Sequence, residues 1–580
     1  MAMTATDELV IADEPAGSLP ELRDKGYITT KVGSIPVVVF WHEDRPWAIE
    51  DRCPHLGFPL HRGSVESGMV TCHWHHARFD LSSGCTLDPW ADDARGFDVE
   101  LDGDLIHVKA RNSGDDIARL HRRLREGLEE NLTLIVAKSV HGLLDHGVAP
   151  AEIVRTAAEF GLKNRSQGWG SGLTTLTAMA NVVHHLKDDD KALALVHGLV
   201  ELASDTAGRP PRFPLHALDD ATVPGERLAE WYRRFVETRA ADSAERTLAT
   251  AVAGGATPEQ VEGMMFAAVT DHVYIDTGHT LDFTNKAFEL LGHVGASASP
   301  DVLSSVVAQT TQAERSEELS SWRHPVDLIE QMRLVELDLV EVVGSADGSA
   351  TPEALVALAT QLLDADADQI GPALLATAGA GANLEQLARA VALAGSMRIL
   401  RFHTQNDHAD WNIVHHAFTF ANGMHQACKR NPTDELARGV LHSAMKVHVD
   451  RFLNVPVARV KRIENASLAD LEACWEAEGH VDEAGAIVSS YLEDGGDPAP
   501  LIATLGHSLL HEDSGFHWYQ LFEASVRHHE AWPAGSEGAR LPLVAFARFL
   551  AAHTPTRRER SKLVHIAARL RRGDALYEED

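Results

Sequence analysis

Two cysteine–histidine pairs near the amino terminus are the residues whose types and spacing most directly indicate chemistry. One residue separates Cys53 from His55, two separate Cys72 from His75, and sixteen residues lie between the pairs. Two thiolates and two imidazoles can bind either a structural zinc ion or a [2Fe–2S] cluster in which histidines replace cysteines on one iron. Zinc sites usually show CxxC or CxxxxC spacing, so this pattern favours the cluster.

A cluster of this kind is suited to moving single electrons. Replacing two anionic thiolates by neutral imidazoles leaves the cluster less negative than an all-cysteine cluster, so it accepts an electron more readily. His73 and His76 lie beside the expected ligand His75 and compete with it for the ligand role. Only the two-residue spacing from the cysteine favours His75.

The residues around both pairs resemble a known family. Residues 53–63 read CPHLGFPLHRG and residues 70–84 read VTCHWHHARFDLSSG, a pattern similar to Rieske ferredoxins and Rieske oxygenases over about residues 8–110. The Rieske proteins of membrane cytochrome complexes carry an extra cysteine in each loop, which this sequence lacks, so the resemblance is to the ferredoxin-like branch. It implies a β-sandwich and four cluster ligands, Cys53, His55, Cys72 and His75.

The elements that must position these residues change in character along the chain. Short runs rich in valine, isoleucine and aromatic residues, broken by glycine, proline and aspartate, are typical of strands and extend to residue 110. Alanine- and leucine-rich segments with helical spacing follow. We expect an all-β sandwich followed by a large all-α region, divided into a flexible amino terminus (1–7), the Rieske domain (8–110), a linker (111–116), helical half 1 (117–342), a linker (343–351) and helical half 2 (352–580).

The helical region contains repeated helix starts. A glycine that ends one helix precedes each start, and Thr257, Asn383 or Asp497 is placed to cap the next helix. The first helical positions are Pro150, Pro258, Leu384 and Pro498, which are 108 residues apart in the first pair and 114 in the second. This pattern predicts repeated helix pairs. Internal duplication and mere similarity of alanine-rich composition both explain it.

Histidines at repeated positions indicate a second metal site. Three of the four starts are followed, after 19 to 21 residues, by a histidine in the sequences TGH, RFH and GFH. Stacked helix pairs can bring such residues to one cavity. We therefore expect His279, His403 and His517 as the leading ligands of a catalytic non-haem iron, with His197 and His425 as further candidates. The alternative is that these are ordinary buried or surface histidines, because the chain has 33.

The standard motif of the Rieske oxygenases is not present in full. In that family the mononuclear iron is bound by two histidines and a carboxylate in a motif of the form (Asp/Glu)xxHxxxxH, on a mixed α/β domain. Asp276 and His279 match its first half, but Thr284 stands where the second histidine should be. The standard oxygenase architecture is therefore not expected here.

Two other resemblances concern the helical region. Residues 254–272, GGATPEQVEGMMFAAVTDH, resemble the helix turn of alkylhydroperoxidase D and carboxymuconolactone decarboxylase proteins, but the CxxC of the peroxidase branch is missing, so its thiol chemistry does not carry over. The histidine-rich helical plan resembles questin oxidase-like proteins. That resemblance implies a histidine-ligated non-haem iron acting on polyketide aromatics, with Lys286 as a candidate for a carboxylated lysine.

Composition limits the partners and the compartment. With 85 acidic against 52 basic residues the net charge is −33, which argues against nucleic acid or an anionic membrane as a partner. Five cysteines, an odd number, favour a reducing compartment. The opening residues MAMTATDELV lack the features of a signal peptide, and no apolar stretch approaches 18 residues. We expect a cytoplasmic protein.

These observations predict a Rieske-type oxygenase. The [2Fe–2S] cluster would pass electrons to a histidine-ligated non-haem iron, which would activate O₂ on a small organic substrate, with aromatic compounds as one class. An external flavin-dependent reductase or ferredoxin would reduce the cluster, because the chain has no GxGxxG opening a βαβ unit. Formation of a homo-oligomer stays open. The alternative is an electron-transfer or redox-sensing protein whose helical region is a docking or oligomerisation scaffold.

Overall fold

A computed structural model of the chain describes residues 14–111, 116–164, 168–219, 222–572 and 574. The expected flexible amino terminus at 1–7 and most of the expected linker at 111–116 lie outside these residues. The chain divides into two compact units. We call them the strand-rich unit (Met1–Ala149 with Ser561–Asp580) and the helical unit (Pro150–Arg560).

The strand-rich unit confirms the predicted all-β sandwich. Every strand pairing in its two sheets is antiparallel among the residues described. The larger sheet has the order β1-β9-β8-β4-β3-β2, and the smaller has the order β5-β6-β7. The strands are β1 (Gly17–Ser18), β2 (Tyr27–Val32), β3 (Ile35–His42), β4 (Arg45–Glu50), β5 (Ser64–Glu66), β6 (Met69–Thr71), β7 (Arg78–Asp80), β8 (Gly96–Asp102) and β9 (Leu105–Ala110).

Strand β3 separates two apolar clusters. Successive side chains of a strand point to opposite faces, so its run of apolar residues is buried on both sides. Val38 and Phe40 belong to the cluster that also contains Cys53 and Cys72. The alternate residues, Val37 among them, belong to the other cluster. The two cysteines of the motif are therefore part of an apolar core between strands.

The expected boundary after residue 110 is where strands give way to helices, but the compact unit extends further. It includes α1 (Leu19–Lys25), α2 (Asp116–Glu129), α3 (Thr133–Asp145) and the part of α24 (Glu559–Arg572) from Ser561 onward. Helices α2 and α3 pack against each other. Arg123 of α2 pairs with Asp92, and Arg571 of α24 pairs with Asp145 of α3. These long-range ion pairs attach the helices to the strand-rich unit.

The helical unit contains the other helices that the structure describes. They are α4 (Pro150–Lys163), α5 (Ser171–Val182), α6 (Asp188–Thr206), α7 (Gly225–Glu237), α8 (Ala241–Ala253), α9 (Pro258–Thr270), α10 (His279–Val294), α11 (Ser299–Ser304), α12 (Val307–Gln312), α13 (Leu328–Ser345), α14 (Pro352–Asp364), α15 (Ala367–Gly379), α16 (Leu384–Leu400), α17 (Trp411–Arg430), α18 (Leu436–Val449), α19 (Leu468–Ala473), α20 (Val481–Glu493), α21 (Pro498–His511), α22 (Phe516–Glu530) and α23 (Glu537–His553).

The four predicted helix starts are confirmed, since α4, α9, α16 and α21 begin at those residues. Capping boxes are present between Thr257 and Gln260 and between Asn383 and Gln386. The glycines that end the preceding helices adopt positive φ, which a residue without Cβ tolerates at low cost. They are Gly147, Gly255, Gly381 and Gly495.

The second helices of the four pairs form a closed ring. Helix α10 packs against α5 and α17, and α22 packs against the same two helices. The predicted linker at 343–351 does contain the turn between α13 and α14, but Pro150–Arg560 is one compact unit. The two expected halves are not separate bodies, because helices of one half bury their apolar faces against helices of the other. Among the residues described, no helix is both long and apolar enough to cross a bilayer.

Candidate metal centres

Cys53 and Cys72 begin two loops with the same backbone hydrogen-bond pattern. In each loop the cysteine N–H donates to the carbonyl five residues on, at 2.8 Å in the first loop and 2.9 Å in the second. The N–H four residues on donates back to the cysteine carbonyl, at 2.7 and 3.0 Å. That fourth residue has a positive φ in both loops, 84° at Gly57 and 65° at His76. The two loops are therefore two copies of one turn, although the sequence around them differs.

The four side chains of the motif are brought together. The rings of His55 and His75 have centroids 4.8 Å apart. The buried thiols of Cys53 and Cys72 hydrogen bond with each other, which lowers the pKa of Cys72 to about 6 and, together with burial, raises the pKa of Cys53. A thiol that ionises readily is ready to bind a metal, because the thiolate is the ligand form.

The ring of His55 has a nitrogen that is free to bind a cluster iron. Its Nδ1 is buried and has no hydrogen-bond partner within the described part of the chain. Burial, with a smaller contribution from His75 and Lys138, lowers the pKa of His55 to about 4, so the ring is neutral at pH 7. An unpaired buried nitrogen is costly unless something else binds it. The donor set of two thiols and two imidazoles therefore fits a [2Fe–2S] cluster.

Three histidines from three helices of the ring meet in the helical unit. They are His279, the first residue of α10, His416 on α17 and His517, the second residue of α22. One nitrogen from each lies within 4.8 Å of the other two. The Nε2 atoms of His416 and His517 are 3.1 Å apart. Two nitrogens bound to one ion at about 2.1 Å and a roughly tetrahedral angle lie about 3.4 Å apart, so this spacing suits a shared metal.

Burial keeps these three imidazoles neutral. It is the largest cause that lowers the pKa of His279 to about 4, of His416 to about 2 and of His517 to about 3, and the neighbouring histidines add to the shift in His416 and His517. Neutral imidazole is the form that binds iron, copper or zinc. All three side chains are half-buried. The cluster can therefore bind a metal without first losing protons at pH 7.

Aromatic rings surround the three histidines. Phe283 stacks on His279, with ring centroids 5.3 Å apart, and Phe516 contacts both His279 and His517. His415 lies next to His416 and His517, and its Nε2 is buried without a hydrogen-bond partner among the described residues. The surroundings are apolar, with one unpaired imidazole nitrogen close by.

His403 is not brought to this cluster. It lies in the connection between α16 and α17, where its Nδ1 accepts a hydrogen bond of 3.1 Å from the N–H of Gln405. Helix α16 has 17 residues, whereas α9 has 13 and α21 has 14. Nineteen residues from the start of α16 the chain is therefore still short of α17, and His416 supplies the third imidazole instead.

His197 and His425 are also elsewhere, and both are buried. The ring nitrogens of His197 are occupied, Nε2 by the carbonyl of Leu510 at 2.8 Å and Nδ1 by the hydroxyl of Tyr519 at 2.6 Å. His425 Nε2 lies 2.8 Å from a carboxylate oxygen of Glu385. Neither residue belongs to the group of His279, His416 and His517. His197 therefore has both ring nitrogens paired within the protein, whereas His425 keeps a buried Nδ1 without a hydrogen-bond partner among the described residues.

Lys286 is an ion-paired ammonium. It is fully buried, and its Nζ donates hydrogen bonds of 2.8 Å to both Glu289 and Glu523. These carboxylates raise its pKa, although burial alone would lower it. A carboxylated lysine would place a third negative charge between them, so this environment does not suit the modification that the questin oxidase-like resemblance implies.

Sequence reasoning missed His416. The signal that could have found it is the His415-His416 pair, which lies inside the second helix of a repeat, as His279 and His517 do. Its position within the helix does not mark it, because His279 is the first residue of α10 and His517 the second of α22, whereas His416 is the sixth of α17. The start of α17 has no proline or capping box that marks it in the sequence.

The comparisons with known proteins concern the strand-rich unit. The family model of the Rieske [2Fe-2S] domain matches residues 14–98. Apoptosis-inducing factor 3 of Homo sapiens is 34% identical over 73 residues, 12% of this chain and 12% of that protein. A Rieske domain-containing protein of Homo sapiens is 31% identical over 72 residues, 12% of this chain and 46% of that protein. The 4beta-methylsterol monooxygenase of Methylococcus capsulatus is 49% identical over 39 residues, 7% of this chain and 11% of that protein. This chain spans less than half the length of each of these relatives.

Among solved structures, the ferredoxin of carbazole 1,9a-dioxygenase from Nocardioides aromaticivorans is similar to a short part of this chain. Its sequence identity is 28% and its TM-score 0.16, with 16% of this chain and 94% of that chain covered. The family match includes both loops that begin with Cys53 and Cys72. Residues 14–98 of the chain are therefore a Rieske [2Fe–2S] domain, and the described residues from Asp116 onward add 23 helices to it.

Proposed function

We propose that the Rieske domain holds its [2Fe–2S] cluster through four residues, Cys53, His55, Cys72 and His75. The observation that supports this most directly is the pair of matching turns that bring two buried thiols and two imidazoles together, with His55 Nδ1 left unpaired. When bound, such a cluster accepts and donates single electrons. The protein holds the cysteines in an apolar core, which keeps water away from the sulfur ligands.

We propose that electrons reach the cluster through His75, which is the more exposed of its two histidines. His55 is half-buried, whereas His75 is exposed and lies next to Trp74, whose surface is 45% exposed. An external flavin-dependent reductase or ferredoxin would deliver electrons at this exposed side. The reductase would be a separate protein, because the sequence has no GxGxxG opening a βαβ unit.

We further propose that His279, His416 and His517 bind a mononuclear non-haem iron and that the chain is an oxygenase. The support is the convergence of three neutral imidazoles, one nitrogen of each within 4.8 Å of the other two, in a chain that also carries an electron-transfer domain. Phe283 and Phe516 would exclude water and pack against an apolar, aromatic substrate. Bound iron would supply O₂ activation. His415 donates through Nδ1 to the Asn412 carbonyl, so its Nε2 would be a hydrogen-bond acceptor beside the iron.

One observation favours a second function, an electron-transfer or redox-sensing protein with a helical scaffold. The family match ends at residue 98, so it leaves the helical unit without a family assignment. In that case the helical unit would bind a partner or a second copy of the chain, and the three histidines would be polar contacts between helices. All five cysteines are free, which supports a reducing compartment such as the cytoplasm in either case.

The iron content separates the two functions. We expect about three irons per chain if both centres are filled and about two if only the cluster is present. Substituting His416→Ala or His517→Ala should remove about one iron and leave the spectrum of the reduced cluster unchanged. His403→Ala is the matched control, since it removes a half-buried histidine outside the group of three. Two irons in the unsubstituted protein after anaerobic reconstitution, or no loss in either variant, would contradict the oxygenase proposal.

A further inference from the structure

A largely buried lysine from helix α3 reaches the loop that begins at Cys53. Lys138 Nζ donates a hydrogen bond to the carbonyl oxygen of Pro54, the residue between Cys53 and His55. Its side chain is 12% exposed. A proline has no N–H, so its carbonyl is the backbone polar group that this residue of the loop can offer. The helical extension of the Rieske domain thus places a cation against the chain that joins two of the proposed cluster ligands.

Other charges hold this lysine in place. Its Nζ lies 3.7 Å from a carboxylate oxygen of Asp92. Asp92 is held in turn by Arg123 of α2, whose Nε is 3.1 Å from the other oxygen and whose guanidinium donates to the Pro89 carbonyl at 2.8 Å. Asp92 directly follows the short helical turn at Pro89–Ala91 and has a positive φ of 66°. Helices α2 and α3 are therefore connected to the ligand loop through one buried ionic network.

The pKa shifts of Lys138 and His55 show that each of these groups interacts with charges near the Cys53–His55 loop. Burial lowers the pKa of Lys138, and Asp92, Cys53 and Glu50 oppose that shift. Lys138 in turn contributes to the lowered pKa of His55. Each charge thus acts across a short, poorly screened distance.

We propose that Lys138 raises the reduction potential of the Rieske cluster by placing its ammonium beside the Cys53–His55 loop. Reduction adds one negative charge to the cluster, and a fixed cation nearby stabilises the reduced state more than the oxidised state. Asp92 cancels part of this effect, but Arg123 shares that carboxylate, so Lys138 is not fully neutralised by it. The inference rests on the proposed ligand set, because Cys53 and His55 must hold the cluster for the charge to act on it.

The test is a potentiometric titration of the full-length protein, followed by the EPR signal of the reduced cluster. Lys138→Gln keeps a hydrogen-bond donor for the Pro54 carbonyl but removes the charge, Lys138→Met removes both, and Lys138→Arg keeps the charge. We expect the two neutral variants to lower the ratio of reduced to oxidised cluster about tenfold at a fixed potential, which is about 59 mV for a one-electron couple. We expect Lys138→Arg to stay near the unsubstituted protein.

A charge-matched control is Lys109→Met, which removes a lysine paired with Glu100 at the surface of the same unit. The reduction potential of the cluster in this variant should equal that of the unsubstituted protein. The inference is overturned if Lys138→Gln binds a full cluster with unchanged g values and a midpoint equal to that of Lys109→Met. It is equally overturned if Lys138→Arg shifts the potential as far as Lys138→Gln, because charge would then not be the cause. Failure of the proposed ligand set is a different result, namely an unsubstituted protein without any [2Fe–2S] signal.

Discussion

The chemistry open to each histidine depends on whether its ring nitrogens already have partners in the protein. His55 keeps an unpaired, buried Nδ1 beside the two thiols, and this is the form that a metal requires. His197 has both nitrogens occupied, so binding a metal there would break two buried hydrogen bonds. Burial lowers the pKa of both residues, so what distinguishes His55 from His197 is the pattern of hydrogen-bond partners.

The buried neutral state of His197 makes stability depend on pH. Its pKa is lowered to about 3, first by burial and then by Arg560, whereas the unfolded residue has a pKa of about 6.5. Below pH 6.5 the unfolded chain therefore binds one more proton than the native chain. We expect the free energy of unfolding to fall by about 1.4 kcal/mol per pH unit from this residue between pH 6.5 and pH 3, with the full contribution retained above pH 6.5.

Urea unfolding of the protein at pH 7.5, 6 and 5 measures this dependence. His197→Gln should reduce the slope of stability against pH by up to about 1.4 kcal/mol per unit near pH 5. His216→Gln, at an exposed position, serves as the control and should leave the slope unchanged. An equal slope in the His197→Gln variant and the unsubstituted protein would show that His197 is not held neutral by the fold.

At the scale of elements, the ring of helices is connected by a buried ionic network as well as by apolar packing. Lys286 of α10 pairs with Glu523 of α22, and Asn181 of α5 donates hydrogen bonds of 2.9 Å to both Glu523 and Glu289. Arg527 adds a second cation to the two carboxylates. This network fixes the relative positions of three of the four helices that surround the histidine centre.

Removing the buried ammonium should destabilise the ring. In Lys286→Met the carboxylates of Glu289 and Glu523 lose one of their two cations, and we expect the free energy of unfolding to fall by about 3 kcal/mol, at the lower end of what a broken buried ion pair costs. Lys191→Met breaks an exposed pair with Asp188 and should cost about 0–1 kcal/mol. Chemical denaturation of both variants provides the comparison.

The same variant also tests the role of Lys286. Because its ammonium is paired with two carboxylates, we expect Lys286→Met to keep its iron per folded chain. Loss of one iron with unchanged stability would instead support a carboxylated lysine as a ligand.

Helix starts were predictable from the sequence, whereas the histidine centre was only partly so. Local signals such as the Thr257–Gln260 capping box lie within four residues of one another, and no distant part of the chain is needed to interpret them. The position of His416 depends on the length of α16 and of the connection that follows it, and α17 begins without a capping box or a first-turn proline. His279 and His517 were predicted because their preceding helices are of similar length.

At the scale of the whole molecule, the bounds of the two compact units were less predictable from the sequence than the strands and helices within them. Composition separates strands from helices near residue 110, and this change is observed. The strand-rich unit nevertheless takes in α2, α3 and most of α24, since ion pairs such as Arg571–Asp145 join residues more than 400 positions apart. No local pattern encodes such a pair, because each partner alone resembles an ordinary surface charge.

The division into units gives the electron-transfer domain a helical extension of its own. Lys138 of that extension reaches the Pro54 carbonyl and Arg123 reaches Asp92, so a Rieske domain cut at residue 110 would lose both of these cations. The function of the whole chain depends first on whether this domain carries its cluster through two cysteines and two histidines.

The most direct test is pulsed EPR on the anaerobically purified full-length protein after reduction with dithionite. We expect a single [2Fe–2S] signal with nitrogen couplings from two distinct imidazoles, and we expect one set of those couplings to disappear in His55→Cys or His75→Cys. A reconstituted protein that stays colourless and EPR-silent, or a cluster signal without any nitrogen coupling, would contradict the central claim.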